Sequence, residues 1–345
     1  MDRRTSRWYW LCLCSGLLLP LFAHAQDTPL PDSSQCRRIA TGPGPEDMAR
    51  LPGTGTHLLI SSHDRRRFES TGAIYLYTEE NNGMRPLPRQ GEPAGLELRP
   101  HGIDISTRDG KTLLYVVNHD REPNSNNHSI LVYEVRPDAL QFVQQLHDPL
   151  LSSPNDISVA PDGDLYVTND RKDGSSTLEL VLRRAKANVV QYHGGHWRIV
   201  ADHLLFPNGV LAEKDRVLVS LTFGSAFLLY PRNGDGSLGA AQKIAEIANL
   251  DNIMPGPSPD TYLVSSHLSL MRFMRHKGDS RYHSPSTVYE INVKTHEAKP
   301  YFVSDGSPIS AITTALLTHE ALYLSQGFDA FILRCPLRQP SAATP

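Results

Sequence analysis

The chain has 345 residues, and its 34 Lys and Arg against 37 Asp and Glu leave no strongly basic surface for nucleic acid. Hydrophobic residues make up 39% of the chain, which is enough to bury a core and excludes global disorder. The 24 Gly and 26 Pro interrupt the sequence too often for a helical bundle. The composition therefore predicts a loop-rich, mostly β protein.

The first 25 residues have the pattern of an export signal. Three arginines precede an apolar run over residues 8–22, and Ala23-His24-Ala25 has the small-x-small pattern of a cleavage site. The run is shorter than the ~20 residues of a membrane-spanning helix. We predict a signal peptide over residues 1–25 and an exported protein, periplasmic or secreted, with no transmembrane segment after cleavage. The alternative is an uncleaved anchor.

Two cysteines, Cys36 and Cys335, remain after removal of such a signal, and they lie near opposite ends of the mature chain. In an oxidising compartment this pair favours a disulfide that ties the termini together. The alternative is two unrelated buried thiols. Residues 36–335 form the predicted folded domain, with tails at residues 26–35 and 336–345.

One pattern recurs six times along this domain: a short polar tag, an apolar residue, a turn, and a second strand rich in β-branched and aromatic residues. The apolar residues that end the tags are Met48, Ile103, Ile157, Val210, Ile253 and Ala315. Repeats of roughly 40–55 residues built from four strands are typical of propeller blades. We predict an all-β, six-bladed β-propeller closed by a disulfide between its terminal strands. The alternative is two β-sandwich domains, which would not explain the period.

The innermost strand of every propeller blade lines the central channel, so the polar tags are expected to face one another. Five tags contribute Glu46, His101, Asn155, Asn208 and the pair Asp251-Asn252, whereas the sixth offers Ala315 and Leu316. Two carboxylates and three amides suit Ca²⁺, which takes 6–8 oxygen ligands. Each dipeptide alone is also a common turn sequence, because Asn and Asp tolerate left-handed backbone. Five tags in phase predict a metal site.

A second set of polar residues ends the second strand of four repeats: His63, His119, Asp170 and His267. Because His101 and His119 belong to one repeat, we predict that their rings pair. One ring would take a proton from water while the other fixes its tautomer. The alternative for each of these histidines is a solvated strand end.

Six motifs occur in a fixed order: Glu46-Asp47, Pro100-His101-Gly102-Ile103, Val116-Val117-Asn118-His119, Pro154-Asn155-Asp156-Ile157, Asn208-Gly209 and Asp251-Asn252-Ile253. Together with the two cysteines, they resemble the paraoxonase/arylesterase family. The resemblance covers residues 36–335. It implies a six-bladed propeller with two Ca²⁺ ions in its channel, and hydrolysis of small-molecule lactones and aryl esters.

The resemblance also implies roles for individual residues. The ligands of a catalytic Ca²⁺ would be Glu46, Asn155, Asn208, Asp251 and Asn252. The ligands of a structural Ca²⁺ would be Asp47, Asp156 and the backbone carbonyl of Ile103. His101 and His119 match the proposed catalytic dyad of the family, and His267 matches a histidine of the pocket wall.

In the implied reaction, Ca²⁺ polarises the carbonyl and stabilises the oxyanion while water activated by His101 attacks. The alternative base is a calcium-bound carboxylate, Glu46 or Asp251. Two other functions stay open: a sugar lactonase of the gluconolactonase-like group, and a non-catalytic, calcium-plugged propeller that binds a peptide or polysaccharide. The histidine pair and the terminal disulfide favour the paraoxonase side.

Three segments concern the pocket. Residues 63–67, His-Asp-Arg-Arg-Arg, replace an apolar wall of the animal members and predict either a polar or anionic lactone or a solvated loop. Residues 176–187 are predicted to form a helix at the lid position of the family. Residues 271–282 are predicted to be an exposed connection.

Overall fold

The computed structural model describes residues 30–338 except 54, 68, 123, 124, 126 and 172–185. Within these ranges the chain forms 25 strands and one α-helix, with short 3₁₀ turns at Ser33–Gln35 and Glu79–Asn81. The strands form six sheets arranged around a central channel. The protein is therefore a six-bladed β-propeller, as predicted. No helix in the described ranges combines the length and apolar character needed to cross a membrane.

The blades follow one another along the chain, each built outwards from the channel by antiparallel strands. Blade 1 contains β2 (Pro45–Arg50), β3 (His57–Ser62), β4 (Ala73–Thr78) and β5 (Gly83–Pro86). Blade 2 contains β7 (Pro100–Arg108), β8 (Lys111–Asn118), β9 (Ser129–Val135) and β10 (Leu140–Leu146), extended by the parallel β6 (Arg89–Gln90). Blade 3 contains β11 (Pro154–Val159), β12 (Leu165–Asn169), β13 (Ala187–His193) and β14 (His196–Leu204).

The second half of the ring repeats this arrangement. Blade 4 contains β15 (Pro207–Ala212), β16 (Arg216–Leu221), β17 (Ala226–Pro231) and β18 (Gln242–Ala245). Blade 5 contains β19 (Leu250–Pro255), β20 (Thr261–His267), β21 (Ser286–Asn292) and β22 (Ala298–Ser304), with helix α1 (Leu270–Gly278) between its second and third strands. Blade 6 contains β23 (Ile312–Leu317), β24 (Ala321–Gln326), β25 (Phe331–Pro336) and β1 (Arg37–Ala40).

Blade 6 closes the ring with strands from both ends of the chain. β1 pairs with β25 in a register that runs from Arg37 opposite Arg334 to Ala40 opposite Phe331. Cys36 is bonded to Cys335, 299 residues away, which confirms the predicted disulfide. Such a bond restricts the unfolded chain, and a native disulfide typically contributes about 2–5 kcal/mol.

The apolar core lies between neighbouring blades. Leu59 and Leu76 of blade 1 pack in one cluster with Leu114 and Leu131 of blade 2, and all four side chains are buried. Alternate residues of a strand point to opposite faces of its sheet. A strand with a blade on either side therefore buries apolar residues on both faces, which is why the second strands are long apolar runs.

A β-bulge interrupts the innermost strand of every blade. In blade 4, for example, the pairing shifts between Pro207 and Val210, so the tag Asn208-Gly209 lies in the bulge. Bulges leave a residue outside the ladder and re-aim its side chain. A hydroxyl satisfies the freed backbone groups, because Ser220 accepts from the Gly209 N–H at 2.8 Å and donates to the Asp251 carbonyl of the next blade at 2.6 Å.

One sequence prediction was wrong, a second was incomplete, and a third lies largely outside the described residues. The bulge of blade 6 holds Thr313 and Thr314 instead of Ala315 and Leu316, because its pairing shifts between Ile312 and Ala315. Most of the segment at residues 271–282 is exposed, as predicted, but helix α1, which was not predicted, occupies the larger part of it. The helix predicted over residues 176–187 lies outside the described residues up to residue 185, and Ala187 begins β13.

Candidate active site

Polar side chains from the bulges of neighbouring blades meet in the channel, since the innermost strands pack side by side around the ring. All five side chains predicted as ligands of a catalytic ion are buried: Glu46, Asn155, Asn208, Asp251 and Asn252. The Asn252 amide donates to Glu46 Oε1 at 3.1 Å, which joins blade 5 to blade 1 across the site.

Four of these five side chains carry a buried oxygen that has no hydrogen-bond partner among the described residues. The oxygens are Glu46 Oε2, Asn155 Oδ1, Asn208 Oδ1 and Asn252 Oδ1. Each amide nitrogen donates to a neighbouring side chain, so the amide oxygen is the atom left over. A buried acceptor without a partner costs about 1–3 kcal/mol, and a cation bound among these four oxygens would satisfy them together.

The chemistry of this donor set fits Ca²⁺. All the donors are carboxylate or amide oxygens, which calcium prefers, whereas zinc is usually held by His and Cys. Within the described ranges, no group of three or more His, Cys, Asp or Glu side chains could hold a metal ion, so a site here depends on its amides.

The buried carboxylates of the channel disfavour one another's charge. Burial raises the pKa of Glu46 well above its usual range, and Asp47 and Asp251 raise it further. Burial and the charges of Asp47 and Glu46 likewise raise the pKa of Asp156. A cation between these groups would remove the repulsion.

Of the residues predicted to hold a second ion, Asp156 lies in the bulge of blade 3, and Asp47 and Ile103 border the bulges of blades 1 and 2. Asp47 Oδ2 accepts from the Ile103 N–H at 2.8 Å, and Asp47 Oδ1 accepts from the Met48 N–H at 2.8 Å. Asp156 accepts from Ile157 and from Val210 of the next blade. These carboxylates already have hydrogen-bond partners, so the donor set fits a second ion less clearly than the first.

The rings of His101 and His119 lie within hydrogen-bond distance, with 2.7 Å between His101 Nδ1 and His119 Nε2. The other ring nitrogen of His101 lies 3.7 Å from Glu46 Oε1, so the histidine pair borders the oxygen-rich set. Burial lowers the pKa of both rings well below the usual value of 6.5, and the nearby Arg65 guanidinium lowers them further. Both rings are therefore neutral at neutral pH.

His267 contacts the site from blade 5. Its Nε2 donates to Asp251 Oδ2 at 2.7 Å, and its ring packs on Phe273 of helix α1 with 4.3 Å between centroids. Ser269 caps this helix by accepting from the Arg272 N–H. The cap, together with apolar residues three apart, is the sequence signal that could have identified the helix.

The other polar residues predicted at the ends of second strands lie around this site. His63 is buried, with its Nε2 3.0 Å from the Ser70 carbonyl. Asp170 accepts from the Asn155 amide at 3.5 Å. Asp170 therefore orients the amide of Asn155, a predicted calcium ligand.

Sequence reasoning missed one residue of the site and identified another only as part of the charged segment at residues 63–67. Thr314 Oγ1 lies 2.9 Å from Asp47 Oδ1 and 2.9 Å from Asn252 Nδ2, so it joins the two predicted ligand sets. Counting back from the apolar residue that ends the sixth tag would have found it. Arg65 is the second: its side chain is 13% exposed, and its Nη2 lies 3.9 Å from Glu46 Oε2. No signal in the sequence separates it from the arginines that follow.

Comparison with protein families identifies the class of proteins to which this chain belongs. The Arylesterase family model matches residues 63–335. The chain belongs to this family. Membership makes the protein a hydrolase on a propeller scaffold.

Individual relatives of this arylesterase-family chain agree with the match. Human serum paraoxonase/lactonase 3 is 24% identical over 271 residues, which cover 75% of each chain. Serum paraoxonase/arylesterase 1 from Rattus norvegicus is 25% identical over 278 residues, which cover 74% of each chain.

Solved structures share the fold of the arylesterase-family chain. A gluconolactonase from Xanthomonas campestris has a TM-score of 0.58 at 14% identity, covering 90% of this chain and 95% of its own. The calcium-binding protein regucalcin from Agrobacterium tumefaciens has a TM-score of 0.55 at 12% identity, covering 88% and 95%. At such identities the likeness establishes the propeller architecture alone.

We expect Gly209→Ala to destabilise this arylesterase-family propeller by about 1–3 kcal/mol. An added Cβ would lie 2.8 Å from both the Asn252 Cα and the Asp251 carbonyl oxygen. Both are backbone atoms of the next bulge and cannot rotate away. Urea denaturation would measure the loss. Gly234→Ala is the matched control, because its Cβ would meet nothing within 4 Å. Equal stability of the two variants would contradict this account of the bulge.

Proposed function

We propose that the protein is an exported, calcium-dependent hydrolase of lactones and aryl esters. The observation that carries the proposal is the contact between the histidine pair and the oxygen-rich set, with 3.7 Å between His101 Nε2 and Glu46 Oε1. This proximity supports a base beside the cation site, so that an attacking water would lie next to both the base and a bound ion.

The residues that would hold the catalytic ion are Glu46, Asn155, Asn208, Asp251 and Asn252. A second ion would use Asp47, Asp156 and the carbonyl of Ile103. When bound, Ca²⁺ would supply Lewis-acid polarisation of the carbonyl oxygen. The partnerless oxygens support the first set most strongly.

The histidine pair would accept a proton from the attacking water and return it to the leaving group. If His101 Nδ1–H donates to His119 Nε2, the lone pair of His101 Nε2 faces the site and accepts a proton from water. The water oxygen forms a bond to the carbonyl carbon, the ester C–O bond breaks, and His101 returns the proton to the leaving alkoxide. A lactone thus yields one hydroxy acid.

The alternative base is one of two carboxylates, that of Glu46 or that of Asp251. His267 already donates to Asp251 Oδ2 at 2.7 Å. Glu46 Oε2 has no hydrogen-bond partner among the described residues, so Glu46 is the better placed of the two candidates.

Export to an oxidising compartment is supported by two features of the chain. The pattern of residues 1–25 is typical of a signal peptide. The Cys36–Cys335 disulfide is the kind of bond that persists in periplasmic or extracellular proteins. The mature protein would then act on small molecules outside the cytoplasm.

Hydrolysis by the mature chain, with and without the chelator EGTA, tests the proposal. The panel contains a homoserine lactone, γ-butyrolactone, phenyl acetate and gluconolactone. We expect activity that disappears with EGTA and returns with Ca²⁺. Preferential hydrolysis of gluconolactone would favour the sugar-lactonase alternative. No hydrolysis of any substrate by protein loaded with calcium would overturn the proposal in favour of a binding module.

A further inference from the structure

The three arginines at residues 65–67 lie in three different environments. The Arg67 side chain is 72% exposed and pairs with Asp64 at 2.8 Å. Arg66 donates to Asp329 and to the carbonyls of His276 and Phe328, which ties the loop to helix α1 and blade 6. Arg65 alone turns into the channel. The run is therefore not a solvated loop.

Backbone carbonyls hold the Arg65 guanidinium in place. Nη1 donates to the Gly44 carbonyl at 2.9 Å, and Nη2 donates to the Pro100 carbonyl at 3.3 Å. These acceptors carry no net charge, so they orient the group without neutralising it. Because Arg66 fixes the same loop, the position of Arg65 is set before any ligand arrives.

The nearest carboxylate to this guanidinium is that of Glu46, at 3.9 Å, which is beyond a hydrogen bond. The other oxygen of the same carboxylate faces His101 Nε2 at 3.7 Å. The guanidinium and the proposed base therefore flank a single carboxylate. A group bound to Arg65 would therefore lie within a few bonds of a carbonyl placed beside His101.

We propose that Arg65 is a specificity residue that binds a carboxylate of the substrate, an inference that rests on the proposed function. The substrate class is small lactones or esters that carry a carboxylate a few bonds from the scissile carbonyl. A guanidinium forms two-pronged, charge-assisted hydrogen bonds with a carboxylate, and such bonds are strong where water is largely excluded. A neutral analogue cannot form them.

The test compares two lactones that differ only in charge: γ-butyrolactone with a γ-carboxylate, and the matched γ-carboxamide. The wild type is expected to prefer the carboxylate in kcat/KM by at least about 10-fold. Arg65→Met should lower that preference by about 10- to 100-fold, and Arg65→Lys should retain part of it. Arg67→Met, the exposed control, should leave it unchanged. Melting temperature and bound calcium are measured for every variant.

A second readout does not depend on turnover. Calorimetry of the calcium-loaded protein with tetrahydrofuran carboxylate, which has no ester bond, should give a Kd that rises about 10-fold or more in Arg65→Met. If the wild type hydrolyses neither lactone, the proposed function fails and this titration still decides the carboxylate site. An equal loss of kcat/KM on both lactones, or an unchanged Kd, would overturn the role of Arg65.

Discussion

Replacing His101 by Gln is expected to lower kcat/KM for lactones and esters by about 10²–10⁴-fold, the usual contribution of a general base. The substitution removes the proton acceptor that faces Glu46 Oε1 at 3.7 Å. It does not remove a proposed calcium ligand. Calcium binding and the free energy of unfolding should therefore change far less than activity does. Steady-state kinetics and calcium titration of the same preparation measure both.

The pH profile of the wild type tests whether the base has the low pKa that its burial implies. Burial holds the pKa of His101 well below 6.5, so the base stays unprotonated at neutral pH. The kcat/KM of the wild type should therefore remain on its plateau as the pH falls past 6.5 and decrease only at more acidic pH. His147→Gln is the control, because His147 is exposed on blade 2. Full activity of His101→Gln would instead assign the base to Glu46.

Removing calcium is expected to lower the melting temperature by roughly 10 °C. At a free concentration 1,000-fold above its Kd, a ligand stabilises the folded state by about 4 kcal/mol. Each kcal/mol corresponds to roughly 2–4 °C in a mid-sized domain. The source of the effect is the set of buried oxygens without partners, together with carboxylates whose charges repel. Scanning calorimetry with Ca²⁺ and with EGTA measures it.

The size of this stabilisation should depend on pH in a definite direction. Burial raises the pKa of Asp47 from 3.8 to about 7, so the metal-free folded state binds a proton that the unfolded state releases. That contribution is present below pH 4 and is lost as the pH rises towards 7. The metal-free protein should therefore lose stability between pH 4 and 7, while the gain from Ca²⁺ increases.

Glu46→Gln tests whether the stabilisation comes from this site. The variant keeps the shape of the side chain but removes a charge from the set, so calcium affinity and the calcium-dependent rise in melting temperature should both fall. Glu246→Gln is the matched control, since Glu246 is exposed and pairs with Lys243 at the surface. Equal melting temperatures of the wild type with Ca²⁺ and with EGTA would contradict the metal site.

The propeller and its channel residues could be predicted because they are periodic. Residues at equivalent positions of a repeat occupy equivalent positions in space, so a tag such as Asn155-Asp156 predicts where Asn208 lies. The terminal disulfide could be predicted for a related reason, since Cys36 and Cys335 flank the repeats at both ends. These features need only the order and spacing of residues along the chain.

Tertiary structure alone decided the parts of the site that lie outside the repeat. Helix α1 is short, and its place over the site depends on the packing of Phe273 against His267 and Phe328. Short helices are marginal without such packing, so sequence propensity identifies them poorly. The three consecutive arginines look alike in the sequence. The carbonyls of Gly44 and Pro100, 21 and 35 residues away, hold Arg65 in the channel, whereas Arg67 is exposed. The environment of a charge is set by groups that folding brings to it, and spacing along the chain does not contain that information.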